Sequence, residues 1–269
     1  MSFLGAKGKE ATMLMAMVGS YVVGIIVAIV AQPWSDWLGP SFSASRLALS
    51  YVVSALMYLI PGLIAMLLFA ENQEWLAPPG KYTPDIEYKP FSPYILTAAA
   101  IVGAVYAVGG ILTGINVDVP ALITSFSATY FGPIVCFLGI FFGFFVRYAI
   151  GGAAWLATPL LIPEIAWIDA GVWSLASYIY WLLVRKLGKG VSGAMRLVYF
   201  IIGLIEMVVL HVIGWIFVYA FTLNPWEAFI GYITFAFSTW YPTTIVFVLI
   251  GAVIGESVYY SRTSLMEVE

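Results

Sequence analysis

The sequence predicts an all-α membrane protein, a helical bundle of about eight spans. Of the 269 residues, 62% are hydrophobic and 9% are charged, whereas a soluble domain carries about 25% charged residues. The apolar residues also recur in long runs, and a run of about 20 residues is enough to cross a bilayer core of about 30 Å. Lipid is therefore the solvent that suits most of the outer surface, and a soluble enzyme is excluded.

Apolar runs that end at charges or prolines define the eight predicted spans. They cover residues 12–32, 46–70, 93–115, 119–130, 133–150, 165–184, 197–221 and 243–260. The run 119–130 is short, with Pro120 at its start and Pro133 soon after its end, so we interpret it as a partial or tilted span.

A polar, proline-rich stretch divides the predicted spans into two groups. The chain is expected to consist of a two-span N-terminal extension (1–70), a cytoplasmic linker (71–92), a six-span core (93–262) and a cytoplasmic tail (263–269).

The cationic residues predict the orientation, because short loops that contain Lys and Arg are retained in the cytoplasm. Nine of the eleven Lys and Arg residues fall on one side of the alternating spans, and Arg46 and Arg147 are the exceptions. We therefore expect a multi-pass protein of the cell membrane with both termini cytoplasmic.

Several functions are excluded by missing residue types. One cysteine, Cys136, and one histidine, His211, rule out a disulfide framework within the chain and metal centres rich in Cys or His. No basic cluster is long enough to follow a nucleic-acid backbone. The stretch 187–190 lacks the first glycine and the hydroxyl residue of a phosphate-binding loop. We expect no enzyme, no cofactor and no nucleic-acid partner, and any work from ATP must come from another subunit.

Small residues form a stripe on the third predicted span. Ala100, Ala104 and Ala107 lie on one helix face, with Ala99 and Gly103 beside it. Such stripes mark close helix packing in lipid, where hydrophobicity does not drive helices together. Two interpretations are open: contact with a neighbouring helix of the same chain, or docking of another subunit on Ala100 and Ala104.

The order of motifs after residue 93 resembles a transporter family. The small-residue helix is followed by Asp118-Val119-Pro120, a short span, the turn Phe131-Gly132-Pro133 and a helix with Gly139 and Gly143. This order is similar to that of the substrate-binding S-components of energy-coupling factor (ECF) vitamin transporters, over about residues 93–262. The resemblance implies uptake of a vitamin, with Ala100 and Ala104 docking a transmembrane coupling subunit that works with ATPase subunits.

Ionisable and aromatic residues toward the predicted outer side form the candidate binding site. Charges at membrane depth are expensive, and they mark a ligand or a partner. The candidates are Arg147, Asp169, Trp173, His211 and Trp215. Aromatic faces beside a carboxylate suit a flat heterocycle. The alternatives are a salt bridge from Arg147 to Glu164 or Asp169, an interfacial aromatic belt, and a buried neutral histidine.

The sequence thus predicts a substrate-binding subunit that takes up a small vitamin-like molecule with energy from partner subunits. An accessory or structural subunit of a larger membrane complex, with no ligand of its own, is the competing prediction.

Overall fold

The computed structural model describes residues 8–30, 44–73, 88–112, 118–153, 159–183 and 241–266, with isolated positions 201, 230, 234 and 238. In these ranges the secondary structure is helical, with seven helices and no strand. They are α1 (Gly8–Val30), α2 (Ala44–Glu71), α3 (Pro93–Leu112), α4 (Val119–Tyr130), α5 (Pro133–Ala149), α6 (Ile162–Trp181) and α7 (Tyr241–Met266). The all-α membrane bundle is confirmed.

Among the described residues, five stretches are long and apolar enough to cross a membrane. They are Gly8–Val30, Ala44–Glu71, Pro93–Leu112, Pro159–Trp181 and Pro242–Tyr259. The apolar helix α5 is shorter, and α4 has 12 residues, which rise about 18 Å. That length agrees with the interpretation of 119–130 as a partial span. The predicted span 197–221 lies outside the described residues, apart from position 201.

Helix α2 is widened in its middle by a π-helical segment, Ala55–Leu59. Pro61 lies two residues after its end and has no backbone N–H, so the regular α-helical bond to the carbonyl of Met57 is impossible. The backbone N–H of Ile60 bonds instead to the carbonyl of Ala55. One proline therefore accounts for the irregular turn, since a π-bulge relieves the clash that its ring would cause.

Helix α6 lies at the centre of the bundle and packs against α2, α4 and α5. It approaches α2 most closely at two glycines. A Cβ atom built on Gly62 would lie 2.7 Å from the Cα atom of Gly171, and one on Gly171 would meet the backbone of Tyr58. Helix α2 is therefore packed directly onto helix α6.

Helices α3 and α5 cross through glycines as well. A Cβ atom on Gly143 would lie 2.8 Å from the Cα atom of Gly103, and one on Gly103 would lie 2.8 Å from the carbonyl oxygen of Gly139. Packing within the chain thus explains the glycine spacing of α5 and the part of the α3 stripe that contains Gly103. Ala100 and Ala104 are exposed on α3, and their role in docking stays a prediction.

The turn Phe131-Gly132-Pro133 lies at one end of the bundle. Gly132 has φ 90°, and a Cβ atom there would lie 2.9 Å from the ring of Phe69, so a glycine is required. At the same end, Lys9 forms an ion pair with Glu71 at 2.7 Å. The cation distribution predicts that these helix ends share one side of the membrane, and the structure places them together.

Candidate functional site

Arg147 occupies the last turn of α5 and is 8% exposed. Its Nε donates to the carbonyl oxygen of Gly152 at 2.9 Å. The chain turns back over the side chain at Gly151, which has φ 84°, and the N–H of Gly152 bonds to the carbonyl of Arg147 at 2.9 Å. The guanidinium also needs space on α3, because a Cβ atom on Gly110 would lie 2.7 Å from Cδ of Arg147. Gly152 beside the side chain and Gly110 opposite it therefore make room for this cation, and Gly151 allows the turn.

Tyr106 of α3 joins Arg147 to Asp169 of α6. Its hydroxyl accepts a hydrogen bond from Nη1 of Arg147 at 3.3 Å and donates to Oδ2 of Asp169 at 3.2 Å. The guanidinium carbon lies 5.4 Å from the centroid of the Tyr106 ring, within the range of a cation–π contact. Three helices thus contribute one side chain each to a connected cluster of a cation, a phenol and a carboxylate, named here the Arg147–Tyr106–Asp169 cluster.

The structure decides between the two ion-pair partners that the sequence allowed for Arg147. Asp169 reaches Arg147 through the hydroxyl of Tyr106. The Oε1 atom of Glu164 instead accepts hydrogen bonds from Ser50 and Ser54 of α2. Arg147 and Glu164 therefore do not form a salt bridge, because Glu164 faces α2.

Trp173 lies one helical turn beyond Asp169 on α6 and is 7% exposed. This agrees with the expectation that Asp169 and Trp173 share one stripe of the helix. Two further candidates, His211 and Trp215, lie outside the described residues. The structure therefore connects Arg147 with Asp169 and places Trp173 next along the same helix.

The sequence analysis did not assign a role to Tyr106. Residues 103, 106 and 110 are spaced by three and four, which places Tyr106 on the same face of α3 as the two glycines that contact α5. A single tyrosine on a face of small residues was the available signal. Such a residue must find a hydrogen-bond partner for its hydroxyl in lipid, and the partners here are the two charged side chains.

The Arg147–Tyr106–Asp169 cluster is suited to binding by hydrogen bonds. An arginine has five N–H donors, and the described part of the chain supplies acceptors for Nε and Nη1. The planar guanidinium is suited to bind a further carbonyl or carboxylate group through its other N–H donors. Among the described residues, no group of three or more His, Cys, Asp and Glu side chains is placed to hold a metal ion.

Comparison with known proteins does not assign the chain to a family, since no protein-family model, curated protein or solved structure matches it.

Proposed function

We propose that this protein is the substrate-binding subunit of an ATP-driven uptake transporter of the ECF type, and that it captures a small vitamin-like molecule. The observation that carries the proposal is the buried guanidinium of Arg147, held within the bundle beside Tyr106 and Asp169. An ionised side chain in a membrane-embedded bundle is expensive to maintain, and such residues commonly mark the path or the site of a substrate.

The chemistry of the cluster suggests the kind of ligand. The guanidinium of Arg147 favours an acceptor group on the ligand, and the partly buried carboxylate of Asp169 favours a donor group. The ring of Trp173, one turn away, offers an apolar face. A small, flat molecule with acceptors on one edge and donors on another satisfies all three.

The energy for uptake is assigned to other subunits in this proposal. Residues 187–190 lack the pattern of a phosphate-binding loop. Ala100 and Ala104 are exposed on α3 and lie on one helix face, which leaves them accessible to a transmembrane coupling subunit. The helix ends that contain Lys9, Glu71 and the Phe131-Gly132-Pro133 turn are assigned to the cytoplasmic side, where ATPase subunits would act.

The test is ligand retention. Wild-type protein purified with its native lipids should co-elute with a small molecule that mass spectrometry identifies, and Asp169→Asn and Arg147→Gln should lose it. Arg46→Gln is the matched control, because Arg46 is the other cation outside the cytoplasmic group. Trp173→Ala should weaken binding by about 1–3 kcal/mol. Equal recovery of the molecule from all variants, or no molecule at all, contradicts the proposal.

A structural subunit without a ligand is the second candidate, and one observation favours it. Nε and Nη1 of Arg147 already bond to Gly152 and Tyr106 within the chain, so the cluster also serves to lock α3, α5 and α6 together. For such a subunit, the purified protein should contain no small molecule and should remain in a stoichiometric membrane complex. Replacing both Ala100 and Ala104 with Leu should then release the partner while the chain stays folded.

A further inference from the structure

A second buried carboxyl lies between α2 and α6, away from the Arg147–Tyr106–Asp169 cluster. Glu164 is in the first turn of α6 and is 0% exposed. Its Oε1 atom accepts a hydrogen bond from Ser54 at 2.8 Å and another from Ser50. Ser50 and Ser54 are one helical turn apart, so both hydroxyls point from the same face of α2. The first carboxyl oxygen is therefore fully engaged.

The second oxygen of the same carboxyl is buried without a hydrogen-bond partner in the described part of the chain. The indole N–H of Trp167, one turn along α6, is also buried without an acceptor there. No Lys or Arg of the described ranges lies within ion-pair distance of Glu164, since the one ion pair found in them joins Lys9 and Glu71. Within the described ranges, Glu164 thus has two neutral donors on one oxygen and none on the other.

The other described titratable groups near Glu164 form no ion pair with it. The hydroxyl of Tyr51, next to Ser50 on α2, donates to the carbonyl of Leu160. Arg46 lies one turn before Ser50 on α2 and is partly exposed. On the core side, Arg147 of α5 bonds to Gly152, and Asp169 of α6 bonds to Tyr106. Among the described residues, the contacts of Glu164 therefore include no cation that neutralises it.

These contacts distinguish a proton from a metal ion as the occupant. A bare carboxylate without a cation is costly in a membrane interior. A hard metal ion takes about six or more oxygen ligands, while the described contacts supply the two carboxyl oxygens and two serine hydroxyls. A proton needs a single oxygen, and Oε2 is the one without a partner.

We propose that Glu164 is a proton-binding site in the membrane-embedded bundle, a neutral carboxyl at neutral pH with its proton on Oε2. Oε1 is then the carbonyl oxygen that accepts the hydrogen bonds of Ser50 and Ser54. When the O–H bond breaks, the proton passes to water and the carboxylate keeps both serine donors. The site lies next to the π-helical segment of α2, so its occupancy acts on the contact between the N-terminal helices and the core.

Infrared spectroscopy of the wild-type protein in lipid nanodiscs tests this assignment directly. The wild type at neutral pH should show a carboxylic-acid C=O stretch that moves to lower frequency in D2O, and Glu164→Gln should remove it. Asp169→Asn and Glu256→Gln are the matched controls, and both should retain this band. If Glu164→Gln removes a carboxylate band instead of the acid band, the proposal is wrong.

A second pair of variants keeps the carboxyl and therefore does not depend on how Glu164→Gln folds. Ser50→Ala and Ser54→Ala each remove a hydrogen bond to the carbonyl oxygen, so each should move the acid band to higher frequency, and the double variant should move it furthest. A band that stays in place in the double variant overturns the proposal. A band that changes to carboxylate when NaCl replaces choline chloride at constant ionic strength assigns the site to a metal cation and also overturns it.

Discussion

Helices α1 and α6 show opposite relations between hydrophobicity and burial. Both stretches, Gly8–Val30 and Pro159–Trp181, have 23 residues and are apolar enough to cross a membrane. In the more hydrophobic one, α1, 11% of the most apolar window is buried inside the protein, against 78% in the stretch that contains α6. In lipid the most apolar helix loses nothing by facing outward, whereas a helix that contains polar side chains needs partners inside the bundle.

The polar side chains of α6 have such partners. Ser174 donates to the carbonyls of Gly62 and Pro133, and Ser177 donates to the carbonyl of Ala128 at 2.7 Å. On α1, large apolar side chains such as Met15 and Ile29 are more than half exposed. The difference indicates that polar side chains and close backbone contacts determine which helix is central, and that a high mean hydropathy does not.

The largest expected effect is that of truncating the aromatic residue at the end of α6. Trp181 packs edge-on against Phe69 and Tyr259, and its Nε1 donates to the carbonyl of Ala128 at 3.0 Å. We expect Trp181→Ala to lower the free energy of unfolding by about 3–5 kcal/mol. Met15→Ala on α1 is the control and should have little effect. Thermal unfolding in one detergent measures both, and equal losses would contradict the comparison.

A smaller effect is expected at the glycine where α6 touches α2. A methyl group on Gly171 would meet the backbone of Tyr58, 2.7 Å from its carbonyl carbon, whereas one on Gly19 of α1 would have no atom within 4 Å. Gly171→Ala should destabilise the protein by about 1–3 kcal/mol. Gly19→Ala should stabilise it by up to about 1 kcal/mol through helix propensity. Denaturation midpoints that shift in opposite directions in the two variants would support the difference between α1 and α6. Shifts in the same direction would contradict it.

Two serines test whether the hydrogen bonds of the two helices differ in strength. Ser177 of α6 donates to the carbonyl of Ala128, and Ser20 of α1 donates to the carbonyl of Leu56, each at 2.7 Å. Hydrogen bonds between membrane helices average about 0.6 kcal/mol, so each Ser→Ala variant should lose about that much. A loss several times larger at Ser177 alone would show that burial strengthens the bond. Unfolding by a denaturing detergent resolves the two variants.

The smallest effect is expected for the ion pair between α1 and α2. The side chains of Lys9 and Glu71 are 73% and 39% exposed, and exposed pairs contribute little because solvent and salt screen them. Lys9→Ala should change stability by about 0.2–0.5 kcal/mol, and the change should vanish in high salt. A larger loss of stability that does not depend on salt would contradict this expectation. It would mean that the position of α1 depends on this ion pair.

The helix boundaries illustrate how far local sequence was sufficient. Helices α3 and α5 begin at Pro93 and Pro133, as predicted, because proline suits the first turn of a helix, where no backbone N–H donor is needed. The glycine of the turn before Pro133 was recognised as part of a motif. Its positive φ and its contact with Phe69 became apparent only from the fold.

The candidate site was predictable only in part. The sequence predicts Arg147, Asp169 and Trp173, because charges and aromatic rings are conspicuous in an apolar span. It does not predict Tyr106, because the role of that residue depends on where α3 crosses α5 and α6. Glu164 was considered only as a partner of Arg147, since nothing local indicates that it faces two serines more than a hundred residues earlier in the chain.

By itself, the sequence determined that this protein is an all-α membrane bundle and where its described helices run, because solvent preference, proline and charge act on each segment separately. The tertiary structure alone decided which helix is central and which partner each buried charge has. It also decided which small residues of α3 pack against α5 and which stay exposed. Those outcomes depend on distances between segments that are far apart in the chain, and in lipid hydropathy does not rank one packing of apolar helices above another.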